Sequence, residues 1–260
     1  MRVSQIVGKR TIDLNVDIGE GFPHDAELLR FASSANVCCG VHAGSRDLTL
    51  STIELCRKHR VRLGIHPGYP DRPTMGRAPM QAGQERPYLK SLFEQVTWFL
   101  ENERPDYLKP HGAFYNDTAV VLPHDWKTQR KRAPTTSEYE SGGVYLSQFP
   151  GLQSLLMLLR IHKLPLMGLE KTAHKAVADR ARQPFIREGF ADRQYRRDGT
   201  LMPRSEPGAV LVDPGQVREQ VLQLASNVDS ICLHGDTPDC LPFAELVYRT
   251  LLDGGYGVGA

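Results

Sequence analysis

The stretch IDLNVDIGEG, Ile12 to Gly21, alternates strictly. Ile12, Leu14, Val16 and Ile18 fall on one face of an extended chain, and Asp13, Asn15 and Asp17 on the other. A strand in a parallel sheet is normally buried on both faces and reads as a near-continuous apolar run. Here one face carries three groups that need hydrogen bonds, a ligand or water. Gly19 and Glu20 follow at once. The question is what the polar face looks at.

Short apolar runs bounded by glycine or proline recur at 35–41, 62–68, 107–112, 165–170, 185–192 and 230–235. Helical patterns lie between most of them. The clearest spans 86–102, where Leu89, Leu92, Phe93, Val96, Phe99 and Leu100 recur at helical spacing. Another opens on Asp47 as N-cap and closes on Lys58, His59 and Arg60. A third follows Asp213-Pro214, with Val217, Val221 and Leu224 on one stripe, and a last runs from about Pro238 to Leu252.

Strands alternating with helices imply parallel βα units. Seven such strands fit a closed barrel, because Asp17, His42, His66, His111, Glu188 and His234 all stand at strand C-terminal ends. Barrels build their sites there, whereas open sheets concentrate them at one switch point. The expectation is an α/β fold, a single (β/α)7 barrel domain over 1–260. Asp13, Asn15 and Asp17 should look into its mouth, with the apolar face under the helices. Residues 117–147 break the pattern with the basic cluster Lys127, Arg130, Lys131 and Arg132 and a Ser/Thr/Glu/Gly-rich run. They read as a loop insertion.

Composition bounds the function. The 260 residues are 40% hydrophobic and 24% charged, enough for a sizeable core. A net charge of +2 argues against a nucleic-acid or membrane-surface protein. The apolar run near 154–169 is broken by Arg160, His162, Lys163 and Pro165, so no membrane span is expected. Five cysteines, Cys38, Cys39, Cys56, Cys232 and Cys240, form no CxxC pair. With no apolar core in the opening residues for a signal peptide, a reducing, cytoplasmic setting is expected.

Phosphate-loop, GxSxG and HExxH motifs are missing, which leaves histidines, carboxylates and a lysine. "CCGVHAGS" carries His42, "GIHPGYPD" His66, "LKPHGAFYN" Lys109 and His111, and "CLHGDTPD" His234 and Asp236. Four histidines beside glycine at successive strand ends are hard to explain as packing. His59, His124, His162 and His174, in helical or loop contexts, read as solvated. Such a set suits water activation and carbonyl polarisation, with or without a divalent metal.

In order, "DLNVDIGEG", "SANVCCGVHAG", "GIHPGYPD", "LKPHGAFYN", "REGFADRQYRRDGTLMPRSEPGAV" and "SICLHGDTP" resemble the motif set of the LamB/YcsF family. That resemblance implies a distorted barrel related to polysaccharide deacetylases. It also implies ATP-dependent opening of a small-molecule substrate, 5-oxoproline, to glutamate, with partner subunits B and C and ATP as co-substrate. The sequence departs from the family at Val16, where cysteine is usual, and in a shorter loop after Glu20.

On that basis Asp17, His42 and His66 are assigned to water activation or substrate positioning, with His234 a further catalytic group. Lys109 and His111 are assigned to stabilising the developing negative charge. Arg193 or Arg204 would hold the substrate carboxylate as a bidentate fork. Glu188 and Asp236 would orient these groups, and Asp13, Asn15 and Glu20 complete the expected substrate contacts. Two alternatives stay open. One is a metal-dependent deacetylase or amidohydrolase using Asp17 and two histidines. The other is a non-catalytic scaffold that docks partners through 117–147.

Overall fold

The computed structural model describes residues 9–122, 149–237 and 239–260. Among the described residues eight parallel strands form: β1 Thr11–Ile18, β2 Ser34–Cys38, β3 Arg62–His66, β4 Tyr107–Leu108, β5 Leu166–Gly168, β6 Phe185–Phe190, β7 Ser230–His234 and β8 Gly257–Val258. Strands β1 to β7 pair in sequence, and β7 returns to β1, so the sheet closes into a seven-stranded barrel. All seven expected strands are present. The short β8 pairs with Thr11 and Ile12, ahead of the register taken by β7. It lies in a glycine-rich stretch that carries no strand periodicity.

Helices cover the outside: α1 Asp25–Leu28, α2 Arg46–His59, α3 Glu85–Asn102, α4 Gly112–Thr118, α5 Pro150–His162, α6 Ala173–Ala181, α7 Pro214–Ala225 and α8 Cys240–Asp253. Helix α2 starts earlier than its sequence suggests. Ser45, not Asp47, is the N-cap, accepting from the Leu48 amide, and Arg60 closes the helix in the left-handed region. Asp213 caps α7 through the Gln216 amide, with Pro214 at the first turn as expected. Ile12, Leu14, Val16 and Ile18 are fully buried in the shell between strands and helices. None of the helices among the described residues is long and apolar enough to cross a membrane. Residues 123–147 of the expected insertion lie outside the described residues; Asp117 and Thr118 end α4.

The barrel interior is polar: the Asp13–Asn15–Asp17 face points inward as expected, but its residues lie at different depths. Asp13 does not reach the mouth. Its carboxylate accepts from Ser33 and Ser34 at 2.6 and 2.7 Å and from Ser230 at 2.5 Å, deep in the barrel. Asn15 occupies the layer above, donating to Ser230 and accepting from Asn36, both at 2.7 Å. Only Asp17 reaches the top. The Tyr107 hydroxyl joins the network by donating to Asn36 at 2.7 Å. The Tyr107 ring needs Gly64 opposite it, since a Cβ there would lie 2.3 Å from the ring. Parallel barrels usually fill this space with aliphatic layers. Here Asp13, Asn15, Asn36 and Tyr107 all have partners, so for them the desolvation cost of about 1–3 kcal/mol per orphaned group is avoided.

His174 is fully buried rather than solvated. Its Nδ1 accepts from the Leu169 amide at 3.3 Å, so Nε2–H faces the Thr118 hydroxyl at 2.8 Å. Burial pushes its pKa down to about 3. The unfolded chain therefore takes up a proton below about pH 6.5 that the folded chain refuses until about pH 3. Stability is full above that upper value and falls as pH drops. In urea titrations between pH 6 and 4, His174→Gln is expected to flatten this slope by about 1.4 kcal/mol per pH unit. An unchanged slope would refute the assignment.

Candidate active site

The strand ends converge on one cavity of about 600 Å³ at the C-terminal mouth of the barrel. Asp17 and Glu20 reach it from β1, His66 from β3, Lys109 and His111 from β4, and His234 and Asp236 from β7. Two glycines shape this rim. Gly19 turns the chain at a φ of 77°, and Gly44 at 58° packs so closely that a Cβ would lie 2.2 Å from the Gly19 carbonyl oxygen. Asp13, Asn15, His42 and Glu188 stand behind the cavity wall rather than on it.

Lys109 is the centre of the inner layer. Its ammonium lies 2.9 Å from Asp17 Oδ1, 2.8 Å from Glu188 Oε1, 3.0 Å from Cys232 Sγ and 3.2 Å from Asn15 Oδ1. Burial alone would lower its pKa, but Asp17, Cys232 and Glu188 outweigh that and hold it well above the ordinary range. All three N–H bonds are committed to protein groups. Lys109 lines the cavity as expected, and in this arrangement its charge anchors two carboxylates. Burial would raise the Asp17 pKa, and Lys109, His66 and His234 instead keep it well below normal. Tyr115 fixes the other oxygen of Glu188 at 3.0 Å.

His234 belongs to a dyad. Its Nδ1 lies 2.9 and 3.0 Å from the two oxygens of Asp192, which also accepts the His234 amide at 3.3 Å. A carboxylate there fixes the Nδ1–H tautomer and leaves Nε2 bare toward the cavity, 3.9 Å from Asp17 Oδ2. Burial would raise the Asp192 pKa, but His234 and then Arg204 hold it below normal. Phe190 stacks on the imidazole at 5.6 Å. Asp192 escaped the sequence reading, although it stands two residues beyond β6 in "GFADRQ".

The opposite wall is cationic. Arg204 grips Asp236 with both terminal nitrogens, at 2.9 and 3.4 Å, and Arg77 pairs with the same carboxylate. Two guanidinium groups on one carboxylate leave unused N–H donors and a surplus charge beside the cavity. Arg193, the alternative to Arg204 named from sequence, also lines the cavity, but its buried guanidinium donates to the carbonyls of Ala209 and Met202 at 3.3 and 2.5 Å. Burial, then Arg204, lowers its pKa to about 10. Arg77 sits in the irregular β3–α3 connection, where no periodicity marks it.

On the third side His42 and His111 stack at 3.8 Å with rings 5° apart. Glu20 Oε1 lies 3.4 Å from His42 Nε2 and 3.3 Å from His111 Nδ1. Among the described residues two groups bring metal-type donors within 4.8 Å, Asp17–Cys232–His234 and Glu20–His42–His111. Neither suits an ion. The Lys109 ammonium already binds Asp17 and Cys232, and the in-plane lone pairs of stacked rings run side by side instead of meeting.

Fold and site together define a TIM-like parallel barrel with a cavity of acidic and basic side chains at its C-terminal mouth. The chain belongs to the LamB/YcsF family, which matches residues 12–123 and 155–259. It is 34% identical to the A subunit of 5-oxoprolinase from Haemophilus influenzae strain PittEE, over 93% of this chain and 96% of that one. The A subunit of 5-oxoprolinase from Bacillus cereus is 32% identical over 96% and 98% of the two chains. The crystal structure of a lactam utilization protein from Thermus thermophilus superposes with a TM-score of 0.71 at 26% identity, covering 96% and 99%.

Proposed function

We propose that this chain is the lactam-opening subunit of an ATP-dependent 5-oxoprolinase, converting 5-oxoproline to glutamate together with partner subunits B and C. The names of its relatives support a role in 5-oxoproline chemistry. The observation that carries the reading is the Asp192–His234 dyad, which faces a guanidinium pair across one cavity. A five-membered lactam is an unactivated amide. Phosphorylation of its oxygen at the expense of ATP makes the carbonyl carbon electrophilic. His234 Nε2 then takes a proton from the attacking water, and Asp192 stabilises the imidazolium that forms. Arg77 and Arg204 hold the ring carboxylate. The five cysteines, all free and buried, suit a reducing cytoplasm.

The test is a coupled assay of 5-oxoproline and ATP with candidate subunits B and C, with and without this chain. Glutamate should form only in the complete mixture. Equal glutamate without this chain overturns the reading. Arg77→Gln should raise KM for 5-oxoproline by about 10- to 100-fold, the loss of one charge-assisted contact. Its melting temperature should stay unchanged, because the side chain is 31% exposed. An unaltered KM would remove Arg77 from substrate binding.

A further inference from the structure

The geometry points to His66 as a fixed imidazolium, hydrogen-bonded to neutral His111, that serves as the general acid protonating the departing lactam nitrogen. This rests on the lactam-opening reading above; the proton assignment itself does not.

The protons of the pair can be counted. His66 Nδ1 lies 2.8 Å from the Lys109 carbonyl oxygen, and His111 Nε2 lies 2.8 Å from the Met75 carbonyl oxygen. Carbonyl oxygens only accept, so each of these nitrogens carries its hydrogen. Two neutral rings would then turn bare nitrogens on each other. Yet His66 Nε2 and His111 Nδ1 are only 3.0 Å apart, in hydrogen-bonding geometry. One further proton must lie between them, so the pair holds three N–H hydrogens and one positive charge.

The surroundings decide which ring owns it. Asp17 Oδ2 lies 3.4 Å from His66 Nε2. Around His111, burial and then the neighbouring His42 and His66 push the pKa well below normal, which makes this ring the acceptor. The other charged groups facing the pair are Glu20 beyond β1, His42 beyond β2 and Lys109 just beyond β4. His234 on β7 faces Asp17 from the far side.

The reaction then balances. The water oxygen bonds to the carbonyl carbon, and its proton passes to His234 Nε2. The C–N bond breaks with its electron pair on nitrogen, which takes the His66 Nε2 proton out of its hydrogen bond with His111, while the added oxygen passes its remaining proton to the amine and becomes a carbonyl oxygen. The acyl phosphate left behind takes up a second water, giving glutamate and inorganic phosphate. Asp17 Oδ2, 3.9 Å from the base and 3.4 Å from the acid, returns the proton from His234 to His66. The acid is restored without exchange with bulk water.

Nitrogen-detected NMR of the intact chain labelled with 15N-histidine tests the assignment without substrate. At neutral pH both His66 nitrogens should resonate as protonated, and His111 Nδ1 as an acceptor. A bare His66 Nε2, or a metal ion bound at these nitrogens, overturns the proposal. The second arm uses turnover in the full assembly. His66→Gln should slow hydrolysis of the lactam by at least about 100-fold. It should slow that of the ring-oxygen analogue, a γ-lactone whose leaving oxygen needs far less help from an acid, by less than about tenfold. Equal losses on both substrates overturn the acid role. A wild-type assembly that opens no lactam refutes the lactam-opening reading and the acid role with it, while the NMR result stands by itself.

Discussion

Lys109→Met is expected to lower the melting temperature by roughly 10 °C and to leave the folded fraction with turnover below about one-hundredth of wild type. The aliphatic stem survives the change, so the cause is charge. Lys109 is the cation between Asp17 and Glu188, both buried. Removing one member of a buried pair costs about 3–5 kcal/mol, because the partners keep their desolvation penalty and lose their compensation. Turnover falls because Asp17 takes up a proton and shifts away from His66 and His234. Adding Glu188→Gln to the same chain should recover part of the lost stability, since an amide needs no counter-cation. Melting and turnover measured on one preparation decide the matter. A single variant that melts with wild type would show that the inner carboxylates do not depend on Lys109.

Asp192→Asn should lower kcat by about 10²- to 10⁴-fold, with KM changed far less. The amide can present N–H to His234 Nδ1, which moves the ring hydrogen to Nε2 and removes the lone pair that water needs. Packing should survive, because Asn fills the same space and its oxygen can still accept from the His234 amide. Asp192→Glu should recover part of kcat by restoring a carboxylate. Loss of kcat that tracks loss of folded protein, with no recovery in Asp192→Glu, would reduce Asp192 to a structural residue.

Much of the fold was legible because β1 alternates so strictly and because glycine or proline punctuates nearly every strand end. The positions of His66, Lys109, His111 and His234 follow from that register. Depth was not legible. Asp13, Asn15 and Asp17 share one face, but the layer each occupies depends on where Ser34 and Ser230 arrive, and only closure fixes that. Arg77 and Arg204 meet on Asp236 from separate irregular segments, and local sequence cannot report a meeting of loops. His174 did leave a signal. With Val177, Ala178 and Ala181 it forms an i, i+3, i+4, i+7 stripe, the mark of a buried helix face.

The hydrogen bond between Asp13 and Ser230 joins positions 217 apart. A ribosome adding 5–20 residues per second needs on the order of ten to forty seconds to cover that interval. Throughout it, β1 exists in the nascent chain without β7, its edge amides and carbonyls open to any passing strand. Closing so long a loop is slow, and slow closure exposes a chain to mispairing. Charges that will point inward are one means by which strands resist such mispairing. Asp13 and Asp17 thus act twice: the carboxylates that later organise the barrel keep its first strand hydrated while it waits for β7.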